Sequence, residues 1–312
     1  MLPPRKTVSQ VAYAVPTEPA QLEKEIMKMH AGMSITRGHH ESTVCGYVED
    51  MEWNAFDYWH RIFVHHTYND ALQVMAGKNF SVNVTRWGRL PIFIQVSNAW
   101  LRPGILLQTM VVLGVIYCHQ VVRLTQQGDD CLFQVDWWTA SHWMFRWLHG
   151  PFNRRMLKLQ RVQDAEDLDI RQQRFALRKA GFHFTTDDPD FLNSNELTDN
   201  VIVPPFPSAQ APLGDLSDGQ WRRIALGPLA FWVQRKDAGV QVWPAVCPHE
   251  GAALTEQHLC GETLHCPWHG RKFRAVTLEP GKRGQWQFLN TVVTLHDGHL
   301  TMTRLEPGTK IS

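Results

Sequence analysis

Long apolar runs are scarce in this chain. The longest, roughly residues 104–118, is interrupted by Gln108 and falls short of the ~20 residues that span a bilayer, so it reads as buried strand. The opening Met-Leu-Pro-Pro-Arg-Lys-Thr has no apolar stretch behind its charges, which argues against a secretory signal. Cysteine is sparse too. Six in 312 residues are too few for a disulfide scaffold, so a reducing, cytoplasmic setting is expected. Neither sign of charge is in excess: a net charge of +1 offers no basic surface for nucleic acid and no field to steer a strongly charged substrate.

Tryptophan, by contrast, is abundant, with thirteen in all. Trp137, Trp138, Trp143 and Trp147 crowd one segment beside Phe145, Arg146, Arg154 and Arg155. The plain reading is a large aromatic core. A peripheral membrane contact or an apolar substrate tunnel are the alternatives.

The chain has room for two modest domains. Residues 1–40 read as an N-terminal arm with one short amphipathic helix over 21–33. A mixed α+β domain is expected over 41–200. It holds a helix near 57–76, strands at 80–85, 91–96, 106–124 and 131–139, and a long helix from Phe152 to Ala180 ended by Gly181. Strands followed by one long helix suggest a curved antiparallel sheet wrapped around that helix, with a cavity between them. Prolines 204, 205, 207 and 212 mark a stiff linker, set at 201–215. Short strands with turn signals then fill an all-β domain over 216–312, and His296-Asp297-Gly298-His299 is a hairpin turn candidate.

That last domain carries Cys247-Pro248-His249 and, beyond residues 250–265, Cys266-Pro267-Trp268-His269-Gly270. Zinc sites usually pair their ligands as C-x2-C or H-x3-5-H. Here each short motif holds one Cys and one His, which suits a two-iron cluster with thiolates on one iron and imidazoles on the other. The segment over residues 203–305 resembles the Rieske family, and all four ligand positions match. Neutral imidazoles in place of two thiolates raise the potential of such clusters to between about −150 and +300 mV. Ala252 and Trp268 stand where the respiratory branch has a cysteine pair, and Arg271 stands where that branch has a hydroxyl donor. Fewer donors to the sulfurs imply a potential toward the lower end.

Upstream, Asp57, His60 and His65 are spaced D-x-x-H-x4-H. This resembles the iron-binding motif of the Rieske non-haem iron oxygenases, in which the two His hold a mononuclear Fe(II) and the Asp links it to a cluster. On an ideal helix five residues turn through about 500°, so the helix must bend or end between the two His. Gln163-Asp164-Ala165-Glu166-Asp167 through Gln173 is similar to the family stretch carrying the third, carboxylate ligand. By that match Asp167 is the ligand and Asp164 the reserve; His66 competes with His65.

The resemblance implies a helix-grip (START-like) catalytic domain and an enzyme that oxidises a hydrophobic or aromatic small molecule with O₂. Electrons would come from NAD(P)H through a flavin reductase or ferredoxin, and products would arise by hydroxylation, dealkylation or desaturation. Family members place the Rieske domain first and are typically homotrimers in which a cluster feeds the next subunit. The order here is reversed, so electrons are expected either between chains or within one. The rival expectation is an electron-transfer protein whose first domain binds a ligand without iron.

Overall fold

The computed structural model describes residues 18–57, 60–65, 68–77, 79–87, 92–187, 199–237, 239–279 and 286–305. Helix α1 (Pro19–Met29) leads into strand β1 (Ser34–Cys45), then α2 (Val48–Phe56) and the single turn α3 (His60–Phe63). Strands β2 (Tyr68–Gly77), β3 (Phe80–Trp87), β4 (Phe93–Arg102), β5 (Ile105–Val112), β6 (Ile116–Gln127) and β7 (Asp130–Ser141) follow, then helices α4 (His149–Glu166) and α5 (Leu168–Lys179). The seven strands form one antiparallel sheet in the order β1-β7-β6-β5-β4-β3-β2. This is the helix-grip arrangement, with the sheet folded over α4 and α5.

Alternation assigns the two faces. Ile94, Val96, Met110, Val112, Ile116, Cys118, Val135 and Trp137 turn inward onto Phe152 and Met156 of α4. Ile105, Val121 and Trp138 turn outward, where Leu22 and Ile26 of α1 cover them.

Several boundaries differ from expectation. The arm is shorter, because residues 34–45 pair along the whole of β7 as an edge strand. Of the helix near 57–76, the described residues form only the single turn α3: Asp57 takes an extended conformation (φ −70°, ψ 94°) that closes α2, and residues 68–77 pair with β3. The run 106–124 is a hairpin. Leu113 and Gly114 both adopt positive φ (52° and 68°), as its tight turn requires. The long helix is divided at Asp167, whose ψ of −6° departs from the helical value. Of the tryptophan cluster, Trp137 and Trp138 are buried whereas Trp143 and Trp147 are exposed. No helix among the described residues is long and apolar enough to cross a membrane.

The C-terminal part is all-β. After the short pair β8 (His183–Phe184) and β9 (Val201–Ile202) come β10 (Ala209–Pro212), β11 (Trp221–Leu226), β12 (Leu229–Lys236) and β13 (Gly239–Pro244). Then follow β14 (Leu259–Cys260), β15 (Thr263–His265), β16 (Lys272–Arg274), β17 (Val276–Leu278), β18 (Trp286–Phe288), β19 (Thr291–His296) and β20 (His299–Arg304). Two four-stranded sheets, β11-β12-β13-β17 and β10-β20-β19-β18, pack together, and the small sheet β14-β15-β16 projects beside them. The expected linker is therefore partly structural, since β9 pairs with β8 and β10 pairs with β20.

The two parts share a core. Leu177, Phe182 and Phe184 join Phe231, Val233, Val240, Leu278 and Met302 in one apolar cluster. The proline segment therefore does not separate two independent interiors. Arg174 of α5 has no solvent access and bonds Asp50 Oδ1 of α2 at 2.7 Å and Glu250 Oε2 at 2.7 Å, with its guanidinium over the Trp53 and Phe184 rings at 4.0 and 3.6 Å. Arg178 adds two bonds of 2.8 Å to Asp50, and Asn200 donates to Glu250 at 2.7 Å. Removing one member of a buried ionic set leaves an uncompensated charge. Arg174→Met is therefore expected to destabilise the chain by about 3–5 kcal/mol, and Arg174→Lys to recover only part, because one ammonium cannot reproduce the fork. Denaturant unfolding of the full chain checks this; a loss below about 1 kcal/mol would deny the network its role.

Candidate metal centres

Two matching loops present the first ligand set. Cys247 N–H donates to Ala252 O (2.8 Å) and Gly251 N–H to Cys247 O (2.9 Å); Cys266 N–H donates to Arg271 O (2.7 Å) and Gly270 N–H to Cys266 O (2.8 Å). Gly251 and Gly270 adopt φ of +90° and +66°, and a Cβ there would meet Leu177 at 2.6 Å and Phe63 at 2.7 Å. Glycine is thus needed both for the turn and for close approach to α5 and α3. Between the loops, His249 Nδ1 and His269 Nδ1 stand 3.1 Å apart. Cys247, Cys266, His249 and His269 are all buried. A hydrogen bond from Cys247 draws the Cys266 thiol down toward thiolate, against its burial. Two adjacent sulfurs and two converging ring nitrogens fit a cluster with thiolates on one iron and imidazoles on the other.

The second set gathers where three elements end. Val64 N–H caps the single turn of α3 on His60 O (2.7 Å), so His65 lies beyond the helix and is free to turn back toward His60. This meets the geometric demand that five-residue spacing imposed. His60 Nε2 and His65 Nε2 are 3.1 Å apart, and Asp167 Oδ1 lies 3.7 and 3.4 Å from them. Right-angled bonds of about 2.0–2.2 Å would separate donor atoms by about 3 Å.

The surroundings hold two of the three candidate ligands, Asp167 and His65. Asn54 Nδ2 donates to Asp167 Oδ2 at 2.7 Å, and Arg171 Nη2 lies at 3.4 Å from the same oxygen. Asp167 Oδ1 finds no hydrogen-bond partner among the described residues, although buried. Glu166 Oε2 holds His65 Nδ1 at 2.8 Å, directing the other ring nitrogen inward. A buried carboxylate oxygen without a donor, faced by two imidazoles, is what a 2-His-1-carboxylate site requires of its residues. Asp164 is engaged elsewhere, by His40 (3.0 Å), Ser42 (3.2 Å) and Arg171 (3.3 Å). His66 lies outside the described residues.

Asp57 joins the two sets. Its Oδ2 is 2.5 Å from His269 Nε2 and 3.6 Å from His60 Nδ1. Burial alone would raise this carboxyl, but the His269 and His60 imidazoles hold it well below the usual carboxylate range. One carboxylate thus spans from a ring of the first set to a ring of the second, inside a single chain.

A protein-family model described as the Rieske [2Fe-2S] domain matches residues 208–288. Both ligand loops fall within it. Residues 208–288 are a Rieske [2Fe–2S] domain. No curated protein matches the chain in sequence. Among solved structures, truncated norcoclaurine synthase from Thalictrum flavum is 13% identical with a TM-score of 0.34, covering 43% of this chain and 94% of that one. The Zhui aromatase/cyclase from Streptomyces sp. R1128 is 11% identical with a TM-score of 0.35, covering 47% and 96%. A START superfamily protein from Mycobacterium smegmatis is 11% identical with a TM-score of 0.32, covering 41% and 98%.

The residues that replace the respiratory branch's cysteine pair in the Rieske domain have another use here. Ala252 and Trp268 pack in one apolar cluster with Trp53 and Ile170, and Trp53 lies 6.2 Å from Trp268 between ring centres. Arg271 turns away to Asp199 at 2.7 Å. Cys118 and Cys131 are buried thiols that burial pushes up to about 12 and about 11, whereas Cys45 is half-buried and Cys260 exposed.

Sequence reasoning missed Asn54, Glu166, Arg171 and Glu250. Only Glu166 had a signal, as the residue before the expected ligand and one helical turn from Gln163. Glu166→Gln should weaken binding of added Fe(II) by about 10–100-fold, the usual effect of losing an orienting carboxylate. The cluster's visible spectrum should not change. Titration of chelator-treated protein with Fe(II) measures it, and unchanged affinity would mean that Glu166 does not orient a metal ligand.

Proposed function

We propose that the chain is a Rieske-type non-haem iron oxygenase in which cluster and mononuclear iron work within one chain. The observation that carries this reading is the Asp57 carboxylate between His269 and His60. Cys247, His249, Cys266 and His269 would hold the cluster, and His60, His65 and Asp167 the Fe(II). Iron in such a facial triad supplies O₂ binding and activation, while the cluster supplies electrons singly.

The chain's own residues have the remaining tasks. Asp57 accepts from His269 and lies 3.6 Å from His60 Nδ1, holding the two rings in fixed relation along a short route of one hydrogen bond and one ionic contact. Asn54 and Arg171 pin one oxygen of Asp167 so that the other meets the metal. Glu166 does the same for His65. Burial of all three ligands restricts water. The triad opens onto a cavity of about 840 Å³, its mouth included, walled by Met51, Val96, Leu106, Met110, Val122 and Phe133 among others. That wall supports a small-molecule substrate with an apolar body. A flavin reductase or ferredoxin drawing on NAD(P)H would reduce the cluster.

A buried carboxylate oxygen that lacks a hydrogen-bond donor and faces two imidazoles at 3.4 and 3.7 Å favours a metal site over a ligand-binding domain without iron. The contacts from His269 through Asp57 to His60 all lie within one chain.

Two results test the proposal. His60→Ala should lower iron from about three to about two per chain and abolish oxidation, while the reduced cluster's EPR signal persists. Mixing His60→Ala with Cys266→Ser chains should restore no activity, because each chain lacks one centre of its own pair. Recovery of activity on mixing would place the electron route between subunits instead.

A further inference from the structure

The inner faces of β4, β5 and β6 are apolar except at one level. β4 turns Ile94, Val96 and Trp100 inward with Asn98 between them; β5 turns Leu106, Met110 and Val112 inward with Gln108; β6 turns Ile116, Cys118, Val122 and Leu124 inward with Gln120. The strand register sets these three amides side by side: Asn98 opposite Gln108, and Gln108 opposite Gln120. Ser81 on β3 continues the row opposite Asn98. A polar residue at the same height on four neighbouring strands forms a belt across the sheet, of which Gln108 and Gln120 line the cavity.

The belt's hydrogen bonds do not close on themselves. Asn98 Nδ2 donates to Ser81 Oγ (3.2 Å) and Gln108 Nε2 donates to Asn98 Oδ1 (2.7 Å). From α4, Gln160 Nε2 donates to Gln120 Oε1 (3.3 Å). Gln108 has therefore used one N–H and keeps its carbonyl, while Gln120 has used its carbonyl and has beside its NH₂ only the Cys118 thiol, a weak acceptor. Gln120 is 1% exposed, and its Nε2 finds no oxygen or nitrogen partner among the described residues. A buried donor left unpaired is destabilising. Gln108, Gln120 and Gln160 line the same cavity as His60, His65 and Asp167. The charged groups on that lining, Asp164, Asp167 and Arg171, are paired with one another.

We infer that the cavity takes a neutral amphipathic small molecule bearing a carboxamide or lactam, whose carbonyl accepts from Gln120 Nε2 and whose N–H donates to Gln108 Oε1. An amide has an acceptor beside a donor, as the two half-used glutamines demand, and its apolar body would lie on Leu106, Met110 and Val122. This rests on reading the cavity as the substrate chamber of the proposed oxygenase, and it replaces a purely hydrophobic substrate with an amphipathic one.

Three probes of one shape provide the test: naphthalene, 2-naphthamide and 2-naphthoate, each titrated into the full-length holoprotein and followed by tryptophan fluorescence. 2-Naphthamide should bind about tenfold more tightly than naphthalene, as one or two neutral hydrogen bonds provide, and 2-naphthoate most weakly. Gln120→Leu should bring 2-naphthamide to within about twofold of naphthalene, with naphthalene binding retained as proof of an intact cavity. Equal binding of amide and hydrocarbon, tightest binding of the anion, no binding of any probe, or a preference that survives both Gln108→Leu and Gln120→Leu would each overturn the inference. Nitric oxide added to the reduced protein separates this from the oxygenase reading. An Fe(II)–nitrosyl EPR signal altered by 2-naphthamide supports both. Absence of that signal with the amide preference intact would remove the oxygenase and leave the amide site standing.

Discussion

Arg174 lies where three segments distant in sequence converge, and none of its atoms reaches water. Asp50 approaches from α2 and Glu250 from a cluster loop, while Trp53 and Phe184 cover the flat faces of its guanidinium. Burial raises the Glu250 carboxyl to about 7, and the Arg174 cation opposes that rise by favouring the carboxylate. A guanidinium in this setting has few alternative positions, because moving it would separate charges in a low-dielectric interior. The cluster loop is thereby fixed to α2, the helix whose end is Asp57. The 2.5 Å contact between Asp57 and His269 depends on that fixation.

Domain order matters less to this architecture than the surfaces that meet. Gly251 and Gly270 let the two cluster loops sit directly on Leu177 and Phe63, and Trp268 lies against Trp53. Every one of those partners belongs to the helical elements that also carry, or adjoin, the second ligand set. A reversed chain order therefore brings both sets together without help from another copy.

Legibility in the sequence followed how local each signal was. C-x-H and C-x-x-H are local patterns, readable from residue type and spacing alone, and both lie in the segment matched by the Rieske family model. The Asp57-His60-His65 spacing was readable as a pattern, and the structure shows the physical condition behind it, a one-turn helix that ends before His65. Long-range effects were hidden. Residues 34–45 become a strand only through pairing with β7, and the hairpin at Leu113 was masked because leucine occupies a positive-φ position where Asn or Gly would have announced a turn. Arg174 resembles any solvated arginine on a helix, and a glutamine on a strand resembles an outward-facing residue. Neither can be recognised until the register is known.

The continuous core has a practical meaning for the molecule's modularity. Leu177, Phe182 and Phe184, at the end of the helical part, belong to the same apolar cluster as the interior of the β part, on the other side of the proline segment in sequence. A cut at those prolines would divide a single hydrophobic interior and expose both halves. The most visible seam in the primary structure is a poor place to take the protein apart, and exchange of its redox module for another would have to carry the end of α5 along with it.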